Sequence, residues 1–183
     1  GALYLEQHPG IFDAAILSSP MFEIKTDGTP KFLISIMLAK IKLLRQEKQP
    51  FPGGNTWDGI PNYDKSSAMS EPRYMYIFNQ RLTDSHYHTN RMSNGWGYAS
   101  FHTTPKILKN AHKIDIPILL LTSGNDALVD SKGHYKFAYS TPNTEFVIYE
   151  GAKHELYNGT PEILEDYYKR VFEFLDRISG QNS

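Results

Sequence analysis

The chain has 183 residues, of which 19 are basic and 20 acidic, giving a net charge of −1; 40% are hydrophobic and none is cysteine. Length and hydrophobic content suit one globular domain with a sizeable core. The balanced charge argues against a polyanion partner, so nucleic acid is not expected, and without cysteine there is neither disulfide nor thiolate chemistry.

The opening residues Gly1 to Pro9 carry no initiator Met, no leader pattern and no basic start. Ala2 to His8 reads as the end of a helix entered partway, closed by Pro9-Gly10, so the natural protein is expected to start earlier. Phe12 to Leu17 is a short apolar run stopped by Ser18-Ser19-Pro20, the pattern of a buried parallel strand. From Met21 to Asn94 no convincing strand is found. A greasy helix over 30–45 leads into a loop rich in Pro, Gly and Asn over 49–62. A second helix covers 71–82, capped by Ser70 with Pro72 in its first turn. No apolar run approaches the ~18 residues that span a bilayer.

After Asn94-Gly95 an amphipathic helix runs to about His112. Ile116 to Thr122 is continuously apolar and ends in Ser123-Gly124, which predicts a fully buried strand. Asp130-Ser131-Lys132 opens a helix towards Tyr139, and Glu145 to Tyr149 is another short strand. Thr160-Pro161-Glu162 starts a long helix reaching about Ile178, with Ile163, Leu164, Tyr167, Val171, Phe174, Leu175 and Ile178 at helical spacing. Strands alternating with helices imply an α/β fold with a parallel sheet covered on both faces. Three strands make a poor independent sheet, and the first is separated from the second by a long helical stretch.

In doubly wound sheets the reactive groups sit just past the carboxyl ends of the strands. Two such loops carry chemistry here. Ser123-Gly124-Asn125-Asp126 follows one strand, and Glu150-Gly151-Ala152-Lys153-His154 follows the next. A carboxylate and an imidazole so placed can meet, the Asp fixing the His tautomer and stabilising the imidazolium that forms when the His takes a proton. By spacing alone the pairing stands level with the plainer reading, an Asp and a His that merely lie in loops.

The wording of the loops adds to this. Gly124-Asn125-Asp126-Ala127-Leu128-Val129 resembles the loop that carries the triad acid in α/β-hydrolases, and Gly151-Ala152-Lys153-His154 resembles the loop that carries the base. Phe12 to Met21 is similar to the strand after the nucleophile helix in the lysophospholipase L2 and monoacylglycerol lipase branch, also called serine aminopeptidase-like hydrolases. Gly1-Ala2 matches the end of that branch's Gly-His-Ser-Met-Gly-Gly-Ala motif, which would put the serine just before residue 1, together with the oxyanion-hole Met.

The resemblance implies the C-terminal part of an α/β-hydrolase, with core at 1–20 and 95–183 and a mainly helical cap insertion at 21–94. It implies a serine ester hydrolase acting on lysophospholipid or monoacylglycerol, with Asp126 and His154 as catalytic residues. No cofactor and no metal are implied. The 183 residues alone would be inert without the N-terminal part. A cytoplasmic protein, in peripheral membrane contact through the cap, is the expected setting. Alternatives are a non-catalytic lipid- or partner-binding module, a degenerate hydrolase, or a peptidase or simple esterase of the same superfamily.

Other candidates have plainer readings. Asp130 sits where a helix N-cap is wanted, and Ser18 and Ser19 read as turn residues. His134 reads as a surface or packing residue. His86 and His88 with Asp84 have a metal-like spacing but read better as a polar loop. The apolar helix Phe32 to Leu44 either lines an acyl-chain channel, touches a lipid surface, or packs between cap and core. Gly95-Trp96-Gly97-Tyr98 reads as a turn whose aromatics join the pocket wall. With no earlier strand beside it, the strand at Phe12 would leave an open edge prone to self-association.

Overall fold

The computed structural model describes residues 1–26, 28–51, 57–88 and 91–181, with Gln181 described by its backbone only. Three parallel strands form one sheet in the order β1-β2-β3: β1 (Ala15–Ser18), β2 (Ile118–Ser123) and β3 (Thr144–Tyr149). Among the described residues six α-helices accompany them, α1 (Ala2–Gln7), α2 (Lys31–Leu43), α3 (Glu71–Thr83), α4 (Asn94–Asn110), α5 (Ser131–Ser140) and α6 (Pro161–Gln181).

The central strand explains the layers. All six residues of β2 are buried, as its uninterrupted apolar run requires. Ile118 and Leu120 point to one face, where they pack with Ala2, Leu5, Ile107 and Phe137 from α1, α4 and α5. Leu119 and Leu121 point to the other, where Tyr167 and Phe174 of α6 cover them. This period-2 alternation puts helices on both sides of the sheet.

β1 is shorter than the apolar run predicts. Its first pair is Ala15 with Ile118, and the Ala15 N–H donates to the Pro117 carbonyl at 3.0 Å. Pro117 has no N–H to return, so the ladder stops there, and Ile11 and Phe12 are left exposed. At its other end β1 turns at Ser19, whose φ of 42° is in the left-handed region and whose N–H donates to Leu121 at 2.8 Å.

The long connection between β1 and β2 carries α2, α3 and α4. α2 buries Ile34, Leu38 and Ile41 against Tyr98 and Phe101 of α4 and against Phe51. α3 begins as predicted, but the Ser70 side chain makes no cap hydrogen bond. With Pro72 in the first turn, one N–H that such a cap would bind is missing. Gly95 to Tyr98 is not a separate turn: it lies in the first turn of α4, capped by the Ser93 hydroxyl accepting from Trp96 N–H at 3.1 Å. Gly97 is small there because Phe51 packs on it; a Cβ would lie 2.7 Å from that ring. Part of the 49–62 loop falls outside the described residues. Among the described residues no helix is long and apolar enough to cross a membrane.

Candidate active site

The ends of β2 and β3 lie side by side, with Ser123 paired to Tyr149. Past that pair the two loops are stitched together. Gly124 N–H donates to the Tyr149 carbonyl and Asn125 N–H to the Ala152 carbonyl, each at 2.9 Å, and the buried Ser123 hydroxyl also donates to Ala152. Two glycines permit this. Gly151 adopts a φ of 74°, turning the β3 loop back over the sheet end. Gly124 sits so close to the other loop that a Cβ would lie 2.9 Å from Glu150 Cα.

This stitching brings Asp126 and His154 together. His154 Nδ1 donates to Asp126 Oδ2 at 2.7 Å, and Asp126 Oδ1 accepts from the Leu128 and Val129 N–H groups at 2.8 and 3.1 Å. The carboxylate is an acceptor only, so Nδ1 carries its proton and Nε2 of the neutral ring is the acceptor. The Asp126 side chain is 2% exposed and that of His154 is 27% exposed. Nε2 has no hydrogen-bond partner among the described residues.

Charge follows this geometry. Burial acts most strongly on Asp126 and pushes its pKa up. The hydrogen bonds from His154, Leu128 and Val129 outweigh it and hold the carboxyl below its ordinary range. His154 moves the other way: its hydrogen bond to Asp126 raises its pKa, against the opposing pull of burial. The arrangement is an imidazole with one nitrogen anchored and the other available, which suits proton transfer to and from a group placed beyond Nε2.

Several residues that frame the pair carry no local mark in the sequence. Lys25 donates from Nζ to the backbone carbonyl of Asp126, from 101 residues away. The segment around it runs along the acid loop: Ile24 bridges Val129 antiparallel, and Asp130 N–H donates to Glu23 O at 2.8 Å. Glu23 then ties Lys31 of α2 to Lys136 of α5, at 2.8 and 2.6 Å. On the base side, Lys153 N–H donates to Met69 Sδ at 3.2 Å, and Glu155 N–H to Ser67 O at 3.2 Å.

The remaining candidates separate from this site. Asp130 caps α5, accepting from Lys132 N–H at 3.0 Å. His134 is wholly buried, with Nε2 2.6 Å from the Pro20 carbonyl and its ring edge-on to Phe22. It is therefore a packing residue, and burial lowers its pKa. Its i, i+3 spacing to the buried Phe137 was a readable sign of this. His86 pairs with Asp84 at 2.7 Å while His88 turns to the Arg81 carbonyl. Among the described residues no group of three His, Cys, Asp or Glu side chains is placed to hold a metal.

A family model described as Hydrolase_4, serine aminopeptidase S33, matches residues 1–161. Among relatives, a monoglyceride lipase homolog of Monkeypox virus is 26% identical over 165 residues, covering 90% of this chain and 54% of that protein. Lysophospholipase L2 of Escherichia coli K12 is 23% identical over 170 residues, covering 92% and 47%. The chain thus spans about half the length of these relatives. Among solved structures, the monoacylglycerol lipase of Paleococcus ferrophilus superposes with a TM-score of 0.69 at 23% identity, over 97% of this chain and 63% of that one.

Proposed function

Because the chain belongs to the serine aminopeptidase S33 family of α/β-hydrolases, we propose that Asp126 and His154 are the acid and base of a serine ester hydrolase that cleaves lysophospholipid or monoacylglycerol. His154 Nε2 takes the proton of an attacking serine hydroxyl and returns it to the departing alcohol. Asp126 holds the Nδ1 proton and stabilises the imidazolium between those steps. In this reading the serine and its oxyanion donors come from chain that precedes Gly1. In support, no serine reaches Nε2 among the described residues, and the matched relatives are about twice as long.

The observation that carries this reading is the 2.7 Å contact between a buried carboxylate and Nδ1 of an imidazole whose Nε2 is unengaged. Lipid ester substrates are favoured by the relatives, a monoglyceride lipase homolog and a lysophospholipase. Residues 21–94 act as a cap in this reading. Its helix α2 and the C-cap Leu44 expose Phe32, Leu33, Ile36, Leu43 and Leu44 and carry Lys31, Lys40 and Lys42, a composition suited to resting on an anionic lipid surface.

The test uses the full-length protein with lysophosphatidylcholine, a monoacylglycerol and an aminoacyl amide. Fatty acid should be released from an ester. Asp126→Asn should lower kcat by about 10⁴-fold, as an Asn cannot stabilise the imidazolium. Amide cleavage without ester cleavage would replace this reading with the peptidase one. Ester cleavage that survives His154→Ala would remove the assigned base.

A further inference from the structure

One residue beyond His154 the surface opens into a cavity of about 510 Å³, between α3, the segment leading to it and the turn over 155–158. That volume falls in the range of small-molecule sites. Four charged residues line it: Lys65 and Arg81, Asp58 and Glu155. None of the four forms an ion pair among the described residues. The carboxylates are instead oriented by local bonds. Asp58 Oδ1 accepts from Ile60 N–H at 3.0 Å, and Glu155 Oε2 from the Asn158 amide at 2.7 Å.

The Arg81 guanidinium is held by packing. It lies 5.9 Å from the centroid of the Trp57 ring. Trp57 is in turn stacked on His88 at 5.0 Å and tilted against the buried Phe78 at 5.2 Å. The other large cavity, about 410 Å³ between α2, α4 and α5, differs in that its Glu23 is already neutralised by Lys31 and Lys136.

Two cations and two anions around one cavity, none neutralising another, complement a ligand bearing both signs. A neutral glycerol would leave all four charges uncompensated, and a simple anion would satisfy only two. A planar guanidinium, with its fork of N–H donors, suits the oxygens of a phosphate. The rings of Trp57 and Tyr157, with carboxylates nearby, suit an organic ammonium.

We propose that this cavity binds the phosphate-and-ammonium headgroup of a lysophospholipid. The inference rests on the ester-hydrolase reading of Asp126 and His154 and narrows its substrate, since the cavity wall and the base share one stretch of backbone. Glu155 follows His154 directly and is bonded to Ser67, which also lines the cavity. Either choline or ethanolamine supplies the required ammonium; the affinity of each is read separately below.

The experiment titrates glycerophosphocholine and glycerophosphoethanolamine, which carry no acyl ester, into the full-length protein by calorimetry. Saturable binding is expected, weakened about 10- to 100-fold by Arg81→Gln. The exposed Lys65→Gln, which leaves the fold untouched, should weaken it in the same direction. In turnover, Arg81→Gln should raise KM for the lysophospholipid and not for a monoacylglycerol of the same acyl chain. Headgroup binding that fails in a protein still able to cleave both esters overturns the headgroup site and spares the hydrolase. Inorganic phosphate binding as tightly as either headgroup overturns it too. Headgroup binding with neither ester cleaved supports the site and removes the hydrolase reading beneath it.

Discussion

Gly124→Ala is the substitution that most directly probes how the acid and base are held together. The added methyl would lie 2.9 Å from Glu150 Cα and 3.0 Å from the Tyr149 carbonyl oxygen, against about 3.4 Å for ordinary contact. Both neighbours are backbone, so neither can rotate away. Relief requires the β2 and β3 loops to part by about half an ångström, which lengthens the 2.9 Å bond from Gly124 to Tyr149. The 2.7 Å contact between Asp126 and His154 lies just beyond and opens with it. Overpacking of this kind costs about 1–3 kcal/mol of stability. Misplacing a catalytic pair by a fraction of an ångström to one ångström costs up to about 10²-fold in rate. Urea unfolding gives the first quantity, and the downfield proton resonance of His154 Nδ1–H follows the contact itself. A variant with unchanged unfolding midpoint and unchanged resonance would show that the loops are not held by this approach, and the reasoning would fail.

Four further outcomes are expected. His154 must be neutral at Nε2 to accept a proton, and its pKa is raised by Asp126, so ester cleavage should climb with pH through a midpoint above the ordinary ~6.5 of histidine. Asp126→Asn should move the His154 titration, followed by NMR, downward; an upward shift would contradict the assigned contact. Lys25→Met removes the tether on the Asp126 carbonyl. If the tether positions the acid, the His154 midpoint falls as the contact loosens, whereas loss of a nearby positive charge alone would raise it. Phe137 is fully buried and stacked 4.1 Å from Phe22, so Phe137→Ala should cost about 3–5 kcal/mol in denaturant unfolding.

The alternation of strands and helices was readable because β2 is apolar throughout and α6 repeats its apolar residues at helical spacing. The loops that carry Asp126 and His154 were readable because glycine and polar residues stop each strand where its carboxyl end emerges. What escaped depended on partners distant in sequence. The length of β1 is set by Pro117 on the neighbouring strand, not by its own apolar run. Gly95 and Gly97 read as turn formers, yet Gly97 is small because Phe51 packs on it and Gly95 because Glu47 O lies 3.1 Å from where its Cβ would be. Lys25 looks like any basic residue at a helix approach, and only the folded chain carries its ammonium to the acid loop.

The register of β2 on β3 has a consequence for how such a protein can change. Asp126 and His154 both follow strands of one contiguous β2-α5-β3 unit, whose ladder from Ile118–Thr144 to Ser123–Tyr149 fixes their relative height. Apart from α4, whose Ile107 packs into the core with Ile118, Leu120 and Phe137, the stretch between β1 and β2 meets that unit through bonds of the 20–25 segment and the 66–73 segment. Insertions, deletions and exchange of the helices between those two segments can therefore redraw the surface offered to a ligand while the contact between Asp126 and His154 stays where it is. On the proposed reading, most of the wall that meets a ligand can drift while Asp126 and His154 are kept, the part built by Glu155, Tyr157 and Asn158 excepted.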